Sequence, residues 1–280
     1  MNLEQINRIS TVDTRVERED WIIPGGVNIH LSVRIFRAKG VPQKLPVVMY
    51  FHGDLEMHDQ LMCEIALGAN VAVICMNETR FDPAEFPNVI EQAHIASCWI
   101  LEHGHELNLD GSRMALAGDN IGGHLAVTVA LMAQQRCQPK IAFQMLFYPI
   151  TDNDFGIESY RDFSDGPWLT KIEMEWVWGQ YLTNPNVRTQ STMSPWHAVP
   201  KELYGLPTTL VITDEESVMR DEGESYANKL LAAGVDVTLI HCLGTTHDFV
   251  SLNTARAETR VAMDQAIASL RAALEMAMTT

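Results

Sequence analysis

The strongest constraint on this chain is an alternation of two patterns. Short apolar runs at Val47–Phe51, Val71–Met76, Met114–Ala117, Phe143–Tyr148, Thr209–Thr213 and Val237–Cys242 are rich in Val, Ile, Leu and Phe. Continuous runs of this length suit strands that are covered on both faces. Between them lie stretches with helical spacing. Ile90, Ala93, Ala96, Ser97 and Ile100 share one helical face that stops near Gly104. Residues 122–135 are small and apolar, as a helix pressed on a sheet requires. Asp221–Ala233 opens with acids and ends before Gly234, matching the helix dipole and the C-cap preference for glycine. Thr254–Met276 is a last helix. Strands alternating with helices predict an α/β fold with a mostly parallel sheet. Arg15–Ile23 and Asn28–Arg37, split by Pro24-Gly25-Gly26, predict an antiparallel hairpin at one edge.

One stretch interrupts the alternation. Residues 151–206 hold four of the six tryptophans (Trp168, Trp176, Trp178 and Trp196) and little strand signal, with a helical middle over Thr170–Leu182. We read it as an embedded lid or pocket wall within a single domain spanning 1–280, since long excursions from α/β folds are often functional.

Charge and cysteine content narrow the function classes. Twenty Lys and Arg against 36 Asp and Glu give a formal charge of −16. A nucleic-acid binder needs a cationic face to displace counterions, so nucleic acid is not an expected partner. No apolar run approaches the roughly 20 residues that cross a bilayer, and the first 20 residues lack the apolar core of a signal peptide. Five widely spaced cysteines (Cys63, Cys75, Cys98, Cys137 and Cys242) form no CxxC pair. The expectation is a cytoplasmic protein with reduced thiols, no membrane partner and a small-molecule substrate or ligand.

The chemistry concentrates at Met114–Gly123, MALAGDNIGG. A strand ends, a small-residue turn follows and a helix begins, which is the setting of the nucleophile elbow G-x-S-x-G. In Gly118-Asp119-Asn120-Ile121-Gly122 the elbow side chain is Asn120. Tyr50-Phe51-His52-Gly53 closes an earlier strand. Downstream, Ser217-Val218-Met219-Arg220-Asp221-Glu222-Gly223 follows one strand and His247-Asp248-Phe249 follows the next.

In this order the motifs resemble the bacterial hormone-sensitive-lipase-like branch of the α/β-hydrolase superfamily. That branch carries HGGG, GDSAGG, D-P/V-L-R-D-E-G and H-G/D-F. Phe147–Asp152, Asp165–Thr170 and Ser194-Pro195 extend the likeness over nearly all of the chain after residue 15. The resemblance implies an α/β-hydrolase fold with a small lid insertion, no cofactor and no resident metal. Some relatives pair through the last strand and helix, so a homodimer is implied by likeness alone.

Set against that pattern, three positions differ. The nucleophile maps onto Asn120, the triad acid onto Ser217, and an oxyanion-loop glycine onto Asp54; His247 is retained. An amide nitrogen is a very poor nucleophile, so no acyl-enzyme is expected at Asn120. Asp214, Glu215 and Glu216, beside Ser217, are candidate replacement acids, and adjacent residues such as Asp248 and His247 are expected to point apart. The catalytic candidates are therefore His247 as general base, Asp54 as acid and Asn120 as hydrogen-bonding partner. His52, Gly53, Ile121, Trp168 and Ser217 complete the implied substrate-binding set. Asn120 also suits the N-cap of the following helix. His52, Asp54, Glu56 and His58 invite a metal reading, but solvated loop carboxylates account for them and no metal is expected.

The reading that follows is a repurposed enzyme. It would perform elimination, isomerisation or cyclisation by acid/base chemistry, with p-nitrophenyl acetate turnover near background. Two alternatives remain open: a non-catalytic ligand-binding pseudo-hydrolase, and a residual carboxylesterase.

Overall fold

The apolar runs do become adjacent strands. In the computed structural model, which describes residues 13–26, 29–52, 58–76, 86–181, 189–252 and 254–277, eight strands form one sheet. They are β1 (Val16–Gly26), β2 (Ile29–Ala38), β3 (Leu45–Phe51), β4 (Ala72–Met76), β5 (Leu109–Asp119), β6 (Ile141–Phe147), β7 (Thr208–Glu216) and β8 (Val237–Thr246), in the spatial order β1-β2-β4-β3-β5-β6-β7-β8. The β1/β2 hairpin sits at one edge, and β2 runs antiparallel to β4. From β4 across to β8 every pairing is parallel.

All residues of β3 and β4 are buried, which explains their unbroken apolar sequences. The edge strands β1 and β8 instead mix exposed and buried positions.

The helices are α1 (Asp59–Ala69), α2 (Phe86–His103), α3 (Ile121–Arg136), α4 (Glu158–Asp162), α5 (Lys171–Tyr181), α6 (Pro200–Leu203), α7 (Arg220–Ala232), α8 (Phe249–Leu252) and α9 (Ala257–Met276). In α3 every residue from Gly122 to Ala133 is buried, so it is a core helix rather than an amphipathic one. Helix α1 is an element the sequence reading does not anticipate, although its buried Leu61, Met62, Ile65, Ala66 and Ala69 recur at helical spacing. The segment between β6 and β7 carries α4, α5, a short 3₁₀ turn at Pro195–His197 and α6, but no strand among its described residues.

The parallel register decides where chemistry can occur. His52, Asp119, Asn120, Tyr148, Asp214 and His247 each stand at or just beyond the carboxyl end of β3, β5, β6, β7 or β8. These strands are consecutive neighbours in the sheet. Residues from across nearly 200 positions of sequence therefore gather along one rim, where open α/β sheets place their ligands.

Candidate active site

Asn120 occupies a strained backbone position, with φ 52° and ψ −118°. Such a conformation costs on the order of 1–3 kcal/mol and persists only when its surroundings fix it. Here the Asn120 N–H donates to the Phe147 carbonyl at 3.1 Å. Its own carbonyl accepts from the N–H groups of His124 and Ile150, both at 3.2 Å. The flanking glycines are required by contact distance. A Cβ on Gly122 would lie 1.8 Å from the Phe51 carbonyl oxygen, and one on Gly118 would lie 2.3 Å from the Gly122 carbonyl oxygen. The turn is thus a tight elbow that holds one side chain at the head of α3.

That side chain meets His247. Asn120 Nδ2 lies 3.2 Å from His247 Nε2. An amide nitrogen only donates, so Nε2 accepts and the ring proton belongs on Nδ1. Nδ1 faces Asp214 Oδ2 at 3.8 Å, an ion-pair distance just beyond a hydrogen bond. Both groups are buried, with side-chain exposures of 5% and 0%. Asp248 has φ 61°, which turns it back on its neighbour and brings its Oδ1 to 3.8 Å from His247 Nε2. The expectation that adjacent residues diverge fails at this left-handed position. The Tyr148 ring packs edge-on against the imidazole at 5.2 Å between centroids. Burial pushes the His247 pKa down, but the Asp214, Asp248 and Asp119 carboxylates outweigh it, and the net direction is up from 6.5.

Beneath the elbow a second network fixes β3 to β5. Asp119 is fully buried. Its Oδ1 accepts from the Tyr50 hydroxyl at 2.8 Å and its Oδ2 pairs with His52 Nδ1 at 2.7 Å. Burial alone would raise this carboxyl. The attraction of His52, with smaller help from His58 and Tyr50, instead holds it at about 2. His52, His58 and Asp119 have ligand atoms within 4.8 Å of one another, so together they are the described residues that come nearest to a metal set. However, the two imidazoles pack on each other, tilted by 38° with 3.3 Å between centroids, and His52 Nδ1 is already paired with Asp119. The cluster is better described as a buried ion network that shapes the turn after β3.

The wall of the site comes from α3 and the β6–β7 segment. Ile121, His124, Ile150, Val177 and Trp178 line a narrow apolar cleft beside the elbow. His124 is buried, and burial lowers its pKa to about 4 despite a backbone bond to Ile150, so it is neutral at physiological pH. The root of the segment is held by Glu222 in α7. Glu222 Oε2 accepts from the N–H groups of Thr151 (2.8 Å) and Asp152 (2.9 Å), and Oε1 accepts from the Tyr160 hydroxyl (2.8 Å). Burial raises this carboxyl to about 7, against the pull of those three donors. A broader groove lined by Arg15, Glu64, Arg260, Asp264 and Arg271 contains none of these groups, and its mixed charges suit a solvated surface.

The structure brings Asn120 and His247 together. His52 lies below them on Asp119, and Ile121 opens α3 at the cleft. Trp168 is 58% exposed and lines no part of that cleft. The Ser217 hydroxyl accepts from the Met219 N–H at 3.3 Å, a role in starting α7. Gly53, Asp54 and Glu56 lie outside the described residues. Sequence reasoning missed Tyr148, His124 and Glu222. Their only signal was a polar residue inside an otherwise apolar stretch or motif.

Comparison with known proteins corrects the reaction class. A family model described as alpha/beta hydrolase fold matches residues 48–251. The carboxylesterase NlhH of Mycobacterium tuberculosis is 31% identical over 252 residues, covering 87% of this chain and 79% of its own. A thermostable esterase from Pseudomonas putida superimposes with a TM-score of 0.91 at 36% identity, covering 97% of this chain and 88% of that one. EstE1, a thermostable carboxylesterase cloned from a metagenomic library, gives 0.88 at 29% identity, with coverages of 97% and 94%. These relatives are esterases. The expectation of elimination, isomerisation or cyclisation, and that of a non-catalytic pseudo-hydrolase, are set aside on that ground. The residual carboxylesterase alternative is the one these relatives favour.

Proposed function

The chain belongs to the alpha/beta hydrolase fold family, and from that premise we propose that it hydrolyses small, uncharged carboxylic esters. The observation that carries this reading is the Asn120–His247 contact of 3.2 Å at the head of a strained elbow. His247 is the general base. A water that takes the place of the Asn120 amide at Nε2 is held between that nitrogen and the amide, which can both donate and accept. As the water oxygen bonds to the acyl carbon, its proton passes to Nε2. The imidazolium then gives that proton to the departing alkoxide as the C–O bond breaks. The products are the carboxylic acid and the alcohol.

Developing negative charge on the carbonyl oxygen is stabilised at the N-terminus of α3. There the Ile121 N–H is among the groups with no partner inside the helix, and the dipole favours an anion. Asn120 itself forms no bond to the acyl group, so the reaction is a single displacement. The described part of the excursion after β6, which brings Val177 and Trp178 to the cleft, acts as its lid. The surplus of acidic residues disfavours anionic substrates. Five free cysteines suit a reducing, cytoplasmic setting.

The test is hydrolysis of p-nitrophenyl acetate and butyrate, compared with His247→Ala. Turnover above buffer, lost in the variant and without a pre-steady-state burst, is expected. Equal turnover in both proteins would refute the assignment. A stoichiometric burst would refute the single displacement.

A further inference from the structure

We infer that Asp214, three residues ahead of the place where the resembling motif carries its acid, is the residue that orients and charges His247. The inference rests on the hydrolase reading for its purpose, but not for its geometry. Asp214 is fully buried, and neither of its carboxylate oxygens has a hydrogen-bond partner among the described residues. His247 Nδ1 is likewise buried without one. Two orphaned groups of opposite character facing each other at 3.8 Å are each other's natural partners, because leaving either unmet in the interior is costly. A closure of about 1 Å would turn the contact into a charge-assisted hydrogen bond. The tautomer agrees, since Asn120 takes Nε2 and leaves the proton on Nδ1, toward Asp214.

Strand geometry explains the displacement. The β7–β8 register runs evenly to the Asp214↔Cys242 pair and then shifts before Glu216↔Thr246. Between those pairs β7 advances two residues and β8 four, so the extra residues lie on β8 and bend its end, bringing the turn that carries His247 over Asp214. The competing acids are otherwise engaged or misplaced. Glu215 Oε2 accepts from the Gly244 N–H at 2.6 Å, and Glu216 is exposed. Asp248 is 29% exposed and faces Nε2, the wrong nitrogen. Ser217, at the motif position, is committed to the Met219 N–H. Asp214 acts through His247 and is therefore a positioning residue.

The groups that charge His247 are Asp214, Asp248 and Asp119, with Glu173 close enough to feel the imidazole in turn and the Tyr148 ring against its edge. The experiment isolates Asp214 among them. His247 is titrated by NMR of the labelled ring, with His247→Gln to assign its signal, in the parent chain and in Asp214→Asn, Asp214→Glu and Asp248→Asn. The expected result is a parent midpoint above 6.5. Asp214→Asn should lower it by about 1 unit or more, the effect of removing an opposite charge at this range. Asp214→Glu should restore most of the shift, and Asp248→Asn should do less than Asp214→Asn. A midpoint in Asp214→Asn within about 0.3 unit of the parent, or a larger fall in Asp248→Asn, overturns the inference. If Asp214→Asn does not fold, Asp248→Asn decides: a fall of about 1 unit or more there overturns the inference, and a smaller one supports it. The titration needs no turnover, so a failure of the esterase reading leaves this result intact and separately legible.

Discussion

Replacing Asn120 by Ser tests whether the rest of the site is a working hydrolase. Removing the nucleophilic serine of a complete triad costs roughly 10⁶ in kcat, which sets the ceiling for supplying one. Two geometric shortfalls lower that ceiling here. A serine Oγ ends one bond short of the Asn120 Nδ2 position, so the present 3.2 Å gap to His247 Nε2 widens. The widening is at most one C–N bond length, about 1.3 Å. The imidazole must also close from 3.8 Å on Asp214. A misplacement of about 1 Å costs on the order of 10²-fold, so two of them leave a gain of roughly 10². That is worth about 2.7 kcal/mol of transition-state stabilisation. The assay is kcat/KM for p-nitrophenyl butyrate, with stoichiometric labelling by a fluorophosphonate as the second readout. Asn120→Ser should gain both activity and label, while the parent chain takes no label. A folded Asn120→Ser protein with less than a tenfold gain and no label would show that the elbow and His247 are not aligned for acyl transfer, and the proposed mechanism would fall with it.

Other outcomes follow from the same geometry. Gly122→Ala puts a methyl within 1.8 Å of the Phe51 carbonyl oxygen, and chemical denaturation should register a loss of about 3 kcal/mol or more; a normal unfolding midpoint would contradict the close approach. Asp119→Asn removes the charge that His52 and Tyr50 share, and should cost about 2–4 kcal/mol. Because the general base must be neutral, ester turnover should fall as pH drops through a midpoint above 6.5, and a profile flat down to pH 5 would exclude His247. Glu222 binds its proton more tightly folded than unfolded, at about 7 against 4.5. Its contribution to stability is therefore full below pH 4.5 and is lost as pH rises to 7, by on the order of 3 kcal/mol. His124, held at about 4, works in the opposite sense, with stability present above pH 6.5 and lost as pH falls toward 4. Urea titrations of Glu222→Gln at pH 5 and pH 8 should differ less from each other than those of the parent chain. An unchanged difference would refute the burial argument.

How far the sequence exposes this molecule depends on whether a residue's role is set by local pattern or by register. The strands were legible because two covered faces force continuous apolar runs, as in β3 and β4. The elbow was legible because contact distances near 2 Å at Gly118 and Gly122 leave no alternative to glycine. Helix α1 went unread although Leu61, Met62, Ile65, Ala66 and Ala69 share one helical face, because the acidic and histidine-bearing stretch just before it made that region read as loop. The lyase-type expectation erred differently. It took the loss of a nucleophile at Asn120 and of an acid at Ser217 as a change of reaction, when the motif order around them belongs to a family whose compared members are esterases.

The acid shows most clearly why pattern alone stops short. Asp214, Glu215 and Glu216 are consecutive and chemically similar, so any of them satisfies a motif that needs a carboxylate near the end of β7. In a regular strand Asp214 and Glu216 would share one face of the sheet and Glu215 the other, and alternation could not have chosen between the first and third. The choice is made by β8: its two extra residues between Cys242 and Thr246 shift the register and carry the His247 turn over Asp214, which is buried, while Glu216, one step further along β7, is exposed. That shift depends on where β8 ends and how the Gly244–His247 turn returns, and Glu215 grips that turn through the Gly244 N–H. The three acids thus divide into one that holds the histidine loop, one that faces the histidine and one that faces water. Loosening the grip with Glu215→Gln should therefore weaken the Asp214–His247 contact and lower the His247 midpoint, although Glu215 never touches the ring. An unchanged midpoint would mean that the bulge in β8 alone sets the approach of His247 to Asp214.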